Sequence, residues 1–345
     1  NYPLSMTDCC DRDAYKTIKT ALFMHLYFDD KIEESIHYAD SMPVNSDIYF
    51  TVCNDKMEKL VTEAAKKLAP RKVKIVRIEN RGRDVSSLLI GAAPYVDQYE
   101  LACFAHDKKT TQVKPFSSGQ SFAYRCLENV LGSKAYVRNV IAKFKSEPRM
   151  GILMPPPPYH GWFYDGIGNE WTTNFDNAVK LAEELNIRVD LNREKEPISP
   201  LGTMFWFRTK ALKPLFDKKW KYEDFPKEPN ACDGTILHAI ERIYGPCAQS
   251  QGYYGAWGMT DQYTSIELTN YHFMARETLK ALHGTVGFYG GLLGMNQHIW
   301  QHGLTQNVSS GRIAVKNALK RRIPRPIWNV SKKIYHFFGG KKWVG

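Results

Sequence analysis

The chain has 345 residues, 43% of them hydrophobic and 24% charged, which is ordinary for a globular protein with a sizeable core. The formal net charge of +11 suggests a nucleic-acid partner, yet of 47 Lys and Arg residues ten lie between Arg312 and Gly345, where there is no Asp or Glu. That leaves 37 basic against 36 acidic side chains elsewhere, so the basicity belongs to a tail and a nucleic-acid-binding body is excluded.

The first half alternates regularly. Ile18–Phe28 reads as a strand, Ile32–Ser41 as a helix and Asp47–Cys53 as a second strand. Lys56–Leu68 is amphipathic, Lys72–Ile78 is a third strand, Val85–Tyr95 is helical and Tyr99–Ala105 is a fourth strand. Such alternation predicts βαβ units and a mostly parallel, Rossmann-like sheet flanked by helices. The second half is less regular. Phe122–Leu131, Tyr136–Phe144, Ala178–Leu185 and Gly234–Tyr244 read as helices, and Met150–Met154 and Gly202–Phe207 as strands. Pro155–Pro158 is a stiff stretch before an aromatic loop, Tyr159–Tyr164, and Trp257–Leu268 has no clear assignment. No apolar run is long enough to span a bilayer. Seven cysteines without CxxC spacing read as reduced thiols, Cys53 and Cys103 in strand cores, which favours the cytosol.

In parallel sheets ligands bind outside the carboxyl ends of the strands. Two polar segments follow strand ends. In Asn80-Arg81-Gly82-Arg83-Asp84, two guanidinium groups suit phosphate oxygens, and Gly82 lets the backbone approach a ligand. The rival reading is a surface turn with Asp84 as a helix cap. In His106-Asp107-Lys108-Lys109, lysine charge can replace a metal in neutralising a departing diphosphate, since no Asp-x-Asp pair is present. Asp233 is a candidate general base or a helix cap before Gly234-Thr235, and Glu228 is the reserve base. His238, Glu241 and Arg242 share a helix face as acceptor contacts, or Glu241 and Arg242 form a structural pair. Tyr159 and Trp162 are candidates to stack on sugar faces or to pack in the core. Gly202 and Thr203 are small enough to admit a donor sugar. The tail from Arg312 interleaves cations with Trp and Phe, the pattern of segments that lie in the interface of anionic membranes.

Several segments together resemble the rhamnan synthesis protein F family of polysaccharide-building glycosyltransferases, from about Lys19 to Tyr244. They are MHLYF with His25 and Tyr27, DIYFTV, Asn80–Asp84 and His106–Lys109, then Gly202–Phe207, Glu228-Pro229 with Asp233-Gly234-Thr235, His238-Ala239 and Glu241-Arg242. The resemblance implies a nucleotide-activated sugar, typically dTDP-rhamnose, and transfer to a growing polysaccharide on a lipid carrier. It also implies a fold like the GT-A glycosyltransferases, with Asn80 and Gly82 at the nucleotide-contacting loop. His106 and Lys108 match the family's His-x-Lys turn, which speaks for no cofactor while leaving Mg or Mn possible.

The resulting expectation is an α/β, GT-A-like domain with a nucleotide-sugar-binding half at 14–112 and an acceptor and catalytic half at 113–310. A basic amphipathic helical tail at 311–345 would hold it to the inner face of a bacterial plasma membrane. Arg81 and Arg83 would hold the diphosphate, with Asn80, Gly82, Asp84, His106, Asp107 and Lys109 around the donor and Lys108 beside the leaving group. The alternative is a non-catalytic scaffold that binds carbohydrate or sugar nucleotide.

Overall fold

Parallel strands covered on both faces are apolar for most of their length, and the inner strands of the first half meet that condition, whereas the edge strand Val73–Arg77 carries Lys74 and Arg77. In a computed structural model, which describes residues 1–286 except 10, 12, 110–114, 161–162 and 164–165, they form as expected. A short strand β1 (Tyr2–Leu4) and helix α1 (Ala14–Thr17) come first. Then follow β2 (Thr20–His25), α2 (Ile32–Ala39), β3 (Asp47–Val52), α3 (Asp55–Ala65) and β4 (Val73–Arg77). The expected helix 85–95 is broken into α4 (Arg83–Ser86), a wide π-turn at Ser87–Gly91 and α5 (Ala93–Val96), leading to β5 (Leu101–His106). The chain continues through α6 (Phe116–Leu131), α7 (Lys134–Ser146), β6 (Met150–Met154), α8 (Phe175–Glu184) and β7 (Phe205–Arg208). It then forms α9 (Lys213–Asp217), α10 (Ile236–Ser250), β8 (Tyr254–Thr260) and α11 (Asp261–Val286).

The described strands make one sheet in the order β1-β8-β6-β7-β5-β2-β3-β4. β7 runs antiparallel to β5 and β6, and every other pairing is parallel. Side chains alternate between the two faces. Leu22, Met24 and Phe50 pack on one side with α2, α3, α6 and α7. Ala21, Phe23 and Phe104 pack on the other with α4, α5, α8 and α10. Each face therefore buries its own apolar layer, and the sheet is fixed between them. The cap of α3 is ordinary: the Asn54 side chain accepts from Met57 N–H at 2.9 Å.

Two boundaries differ from the sequence reading. Gly202 and Thr203 precede β7 in left-handed turns, with φ of +100° and +54°, because this loop turns back sharply before the strand begins. The unassigned stretch 257–268 is the junction of β8 and α11. The chain divides into two compact units, Asn1–His272 and Phe273–Gly345. In the second, the described residues continue α11, with Glu277 paired to Arg276 and Lys280. The tail from Arg312 lies outside the described residues.

Candidate active site at the carboxyl edge of the sheet

The chain runs outward through β2, β3 and β4, then returns to β5 on the other side of β2. That reversal makes a switch point between β2 and β5, where a crevice forms outside the strand ends. His25 stands directly opposite His106 across it. A cavity of about 780 Å³ opens there, lined from β2, α4, β5, α10 and the loops beside them.

His25 is buried, and its Nδ1 lies 2.9 Å from Thr51 Oγ1, which in turn lies 2.7 Å from Ser87 Oγ. Burial, reinforced by His106, pushes the His25 imidazole down to about 4, against the opposing charge of Asp84. His25 is thus a neutral ring at neutral pH. His106 is oriented by two carbonyls, Asp107 O at 2.7 Å from Nδ1 and Gly202 O at 2.9 Å from Nε2. Asp107 turns its carboxylate toward the backbone, accepting from the N–H groups of Tyr27 at 2.7 Å and Phe28 at 2.6 Å. Burial raises its carboxyl while those two donors oppose the rise. Asp107 therefore fixes the loop after β2 as well as lining the cavity.

The turn 80–84 makes one wall. Gly82 has φ +87°, and a Cβ there would stand 2.8 Å from Phe225 Cγ, so only glycine fits. Arg81 donates to Phe225 O at 2.8 Å and Glu223 O at 3.2 Å. Arg83 Nε donates to Glu228 Oε1 at 3.0 Å. Both arginines thus clamp the segment 223–228 against the turn, while still lining the cavity beside Asn80 and Asp84. Asp84 makes no side-chain hydrogen bond or ion pair among the described residues.

Lysines close the far side. Lys109 pairs with Asp30 at 2.5 Å and lies over the Phe28 ring. Lys108 lies 4.8 Å from the centre of the Phe122 ring and has no carboxylate partner among the described residues. On α10, His238 Nδ1 meets Thr235 Oγ1 at 2.9 Å. Glu241 Oε2 accepts from Gly202 N–H at 2.9 Å and Thr203 Oγ1 at 3.1 Å, and Oε1 pairs with Arg242. Arg242 Nε also donates to Glu170 O at 3.0 Å. The pair anchors the 199–203 loop, and Glu241 alone of the two lines the cavity.

Several candidates lie elsewhere. Asp233 is not among the lining residues. Its carboxylate accepts from Thr173 Oγ1 at 3.0 Å and Asn174 Nδ2 at 2.6 Å. Partial burial works to raise it, but Asn174, Thr172, Thr173 and the Gly234 N–H outweigh that and hold it at about 2. Gly202 and Thr203 touch Phe122 and Glu241 rather than the cavity. Tyr159 donates to Glu170 and Glu196, at 2.7 Å each. Trp162 lies outside the described residues. Conversely, Phe28, Cys53, Glu79 and Cys232 line the cavity without having been singled out. Phe28, Cys53 and Glu79 follow the ends of β2, β3 and β4, so the strand-end rule points to them. Cys53 is half-buried past β3 rather than in its core, and burial pushes its thiol up to about 11, against Arg77. Among the described residues no three His, Cys, Asp or Glu side chains gather to hold a metal ion.

This is an α/β protein with a cavity lined largely by polar residues at the switch point of a mostly parallel sheet. The chain belongs to the rhamnan synthesis protein F family, whose sequence profile matches residues 2–253. The family's description ties its members to rhamnan synthesis, that is, to making a polysaccharide. The chain is also similar to two proteins from two strains of Xanthomonas campestris pv. campestris, each described as uncharacterized protein WxcX. Both are 27% identical over 183 residues, which is 51% of this chain and 24% of theirs. The match thus spans about a quarter of the length of those relatives.

Proposed function

We propose that the chain is a glycosyltransferase that moves a sugar, rhamnose or another deoxyhexose, from a nucleotide diphosphate to a growing cell-surface polysaccharide. The observation that carries this reading is Lys108, a cation in the switch-point cavity with no carboxylate partner among the described residues. In the reaction the bond between the sugar's anomeric carbon and the diphosphate oxygen breaks, and negative charge develops on the departing oxygen. The Lys108 ammonium stabilises that charge, a role that needs no metal. Asn80 and Asp84 offer an amide and a carboxylate to donor hydroxyls. The acceptor hydroxyl attacks the anomeric carbon and gives its proton to a carboxylate base. Glu228 fits that role better than Asp233, since it lines the cavity whereas a carboxyl held at about 2 is a feeble proton acceptor. The arrangement suits a GT-A-like enzyme with dTDP-rhamnose as favoured donor.

No helix among the described residues is long and apolar enough to cross a membrane. Within the same reading, the basic tail from Arg312 holds the enzyme to the cytoplasmic face of the plasma membrane, near a lipid-linked acceptor.

A melting-temperature panel of dTDP-, UDP-, GDP- and CMP-linked sugars tests donor binding, because a ligand that binds only the folded state raises the melting temperature. The expected result is a rise with one donor that persists in EDTA and shrinks in Lys108→Met. A rise equal in Lys108→Met removes the role given to Lys108.

A further inference from the structure

A second cavity, of about 660 Å³, adjoins the first, and both are lined by Lys108 and Lys109. Its opposite walls come from two neighbouring helices, α2 and α6. On α6, Phe116, Gln120 and Tyr124 recur every four residues, and so line up along one face. Gly119 and Ala123 between them leave an open floor. Phe116 and Tyr124 are 60% and 42% exposed, so each ring keeps open surface along the groove. Eight residues of helix separate them by about 12 Å, the length of a short oligosaccharide rather than of one sugar. Facing them, Glu34 and Tyr38 are likewise four residues apart on α2, and Tyr38 is oriented by its bond to Glu128 Oε2 at 3.3 Å.

We infer that this groove is the acceptor subsite, taking a neutral oligosaccharide whose growing end reaches Lys108 and the donor cavity; the inference rests on the transferase reading. Ring faces suit the C–H-rich faces of pyranoses, and the Gln120 amide donates to and accepts from hydroxyls. Charge argues against a nucleotide or an anionic lipid as occupant. Lys109 is neutralised by Asp30, and Lys31 by Glu34 at 2.8 Å, so away from Lys108 the groove presents paired rather than free cations. The acceptor thus contacts α2 and α6.

The test measures binding of a methyl glycoside rhamnose trisaccharide to the full chain by saturation-transfer NMR and titration. Donor melting shifts are recorded in parallel. Expected is binding by the native chain, about tenfold weaker in Tyr124→Ala and Gln120→Ala, the scale of one lost aromatic contact. Gln120→Trp, which fills the groove from an exposed helix face, is expected to abolish binding without lowering the melting temperature. Trisaccharide binding equal in the native chain and all three variants overturns the inference. So does a loss of the donor shift in the variants, which would assign the groove to the nucleotide. If no donor shifts the native chain while the trisaccharide binds in this pattern, the groove stands and the transferase reading fails.

Discussion

Asp233 and Glu228 are carboxylates five residues apart, and their surroundings give them different capacities. Asp233 is satisfied by Thr173 and Asn174, which hold it ionised and turn it toward the loop before α8. Glu228 lines the cavity and is steered by Arg83. Replacing Glu228 with Gln is expected to lower turnover by about 10²-fold, with donor affinity little changed. Asp233→Asn is expected to cost less activity and to act through stability. Because the Asp233 carboxyl is depressed in the folded state, the stability it contributes is present above about 3.8 and is lost as pH falls through about 2. Steady-state kinetics of the two variants decide the matter, and a larger loss of turnover in Asp233→Asn would reverse the assignment. Sequence alone placed both residues near the chemistry. It could not separate them, because the distinction depends on Thr173 and Asn174, some sixty residues away.

Two connecting segments bear on the cavity: the turn 80–84 lines it, and the 199–203 loop orients His106 from behind. The turn 80–84 was legible in the sequence, since two arginines around a glycine after a strand carry their own signal. What they grip was not: Arg81 and Arg83 reach residues 223–228, more than 140 positions later. Gly202 and Thr203 read as part of a strand because Met204–Phe207 is continuously apolar, while the turn at Gly202 is set by φ and by the ring of Phe122. A Cβ at Gly202 would lie 2.7 Å from Phe122 Cε1, in a backbone region unfavourable to any side chain. Gly202→Ala is therefore expected to destabilise by about 1–3 kcal/mol in denaturant titration and to weaken donor binding, since Gly202 O orients His106. Native-like stability with native-like donor affinity would show that the loop tolerates the change and does not position the histidine.

Over the whole molecule, the β-α alternation of the first half was enough to place a switch point, because strand order there follows from short right-handed crossovers. The second half was less legible. β7 enters between β5 and β6 against their direction, and β1 joins the far edge beside β8, pairings that depend on long-range register rather than local pattern. Charge also acts on this scale. The body is near neutral and the tail carries ten cations, so attraction to anionic surfaces is expected to reside in the tail. Deleting Arg312–Gly345 is expected to release the chain from vesicles containing anionic lipid without lowering the melting temperature of the body. Undiminished sedimentation with vesicles would contradict that role.

Catalysis at the switch-point cavity is read out by glycosyl transfer itself. The full chain is incubated with dTDP-rhamnose and a rhamnose oligosaccharide, with and without EDTA, and products are followed by mass spectrometry. The expected product is an oligosaccharide lengthened by one deoxyhexose, formed also in EDTA and reduced by about 10²-fold in Lys108→Met. A donor that binds and raises the melting temperature, yet yields neither lengthened glycan nor free nucleotide diphosphate, would contradict it and make the chain a sugar-nucleotide-binding scaffold.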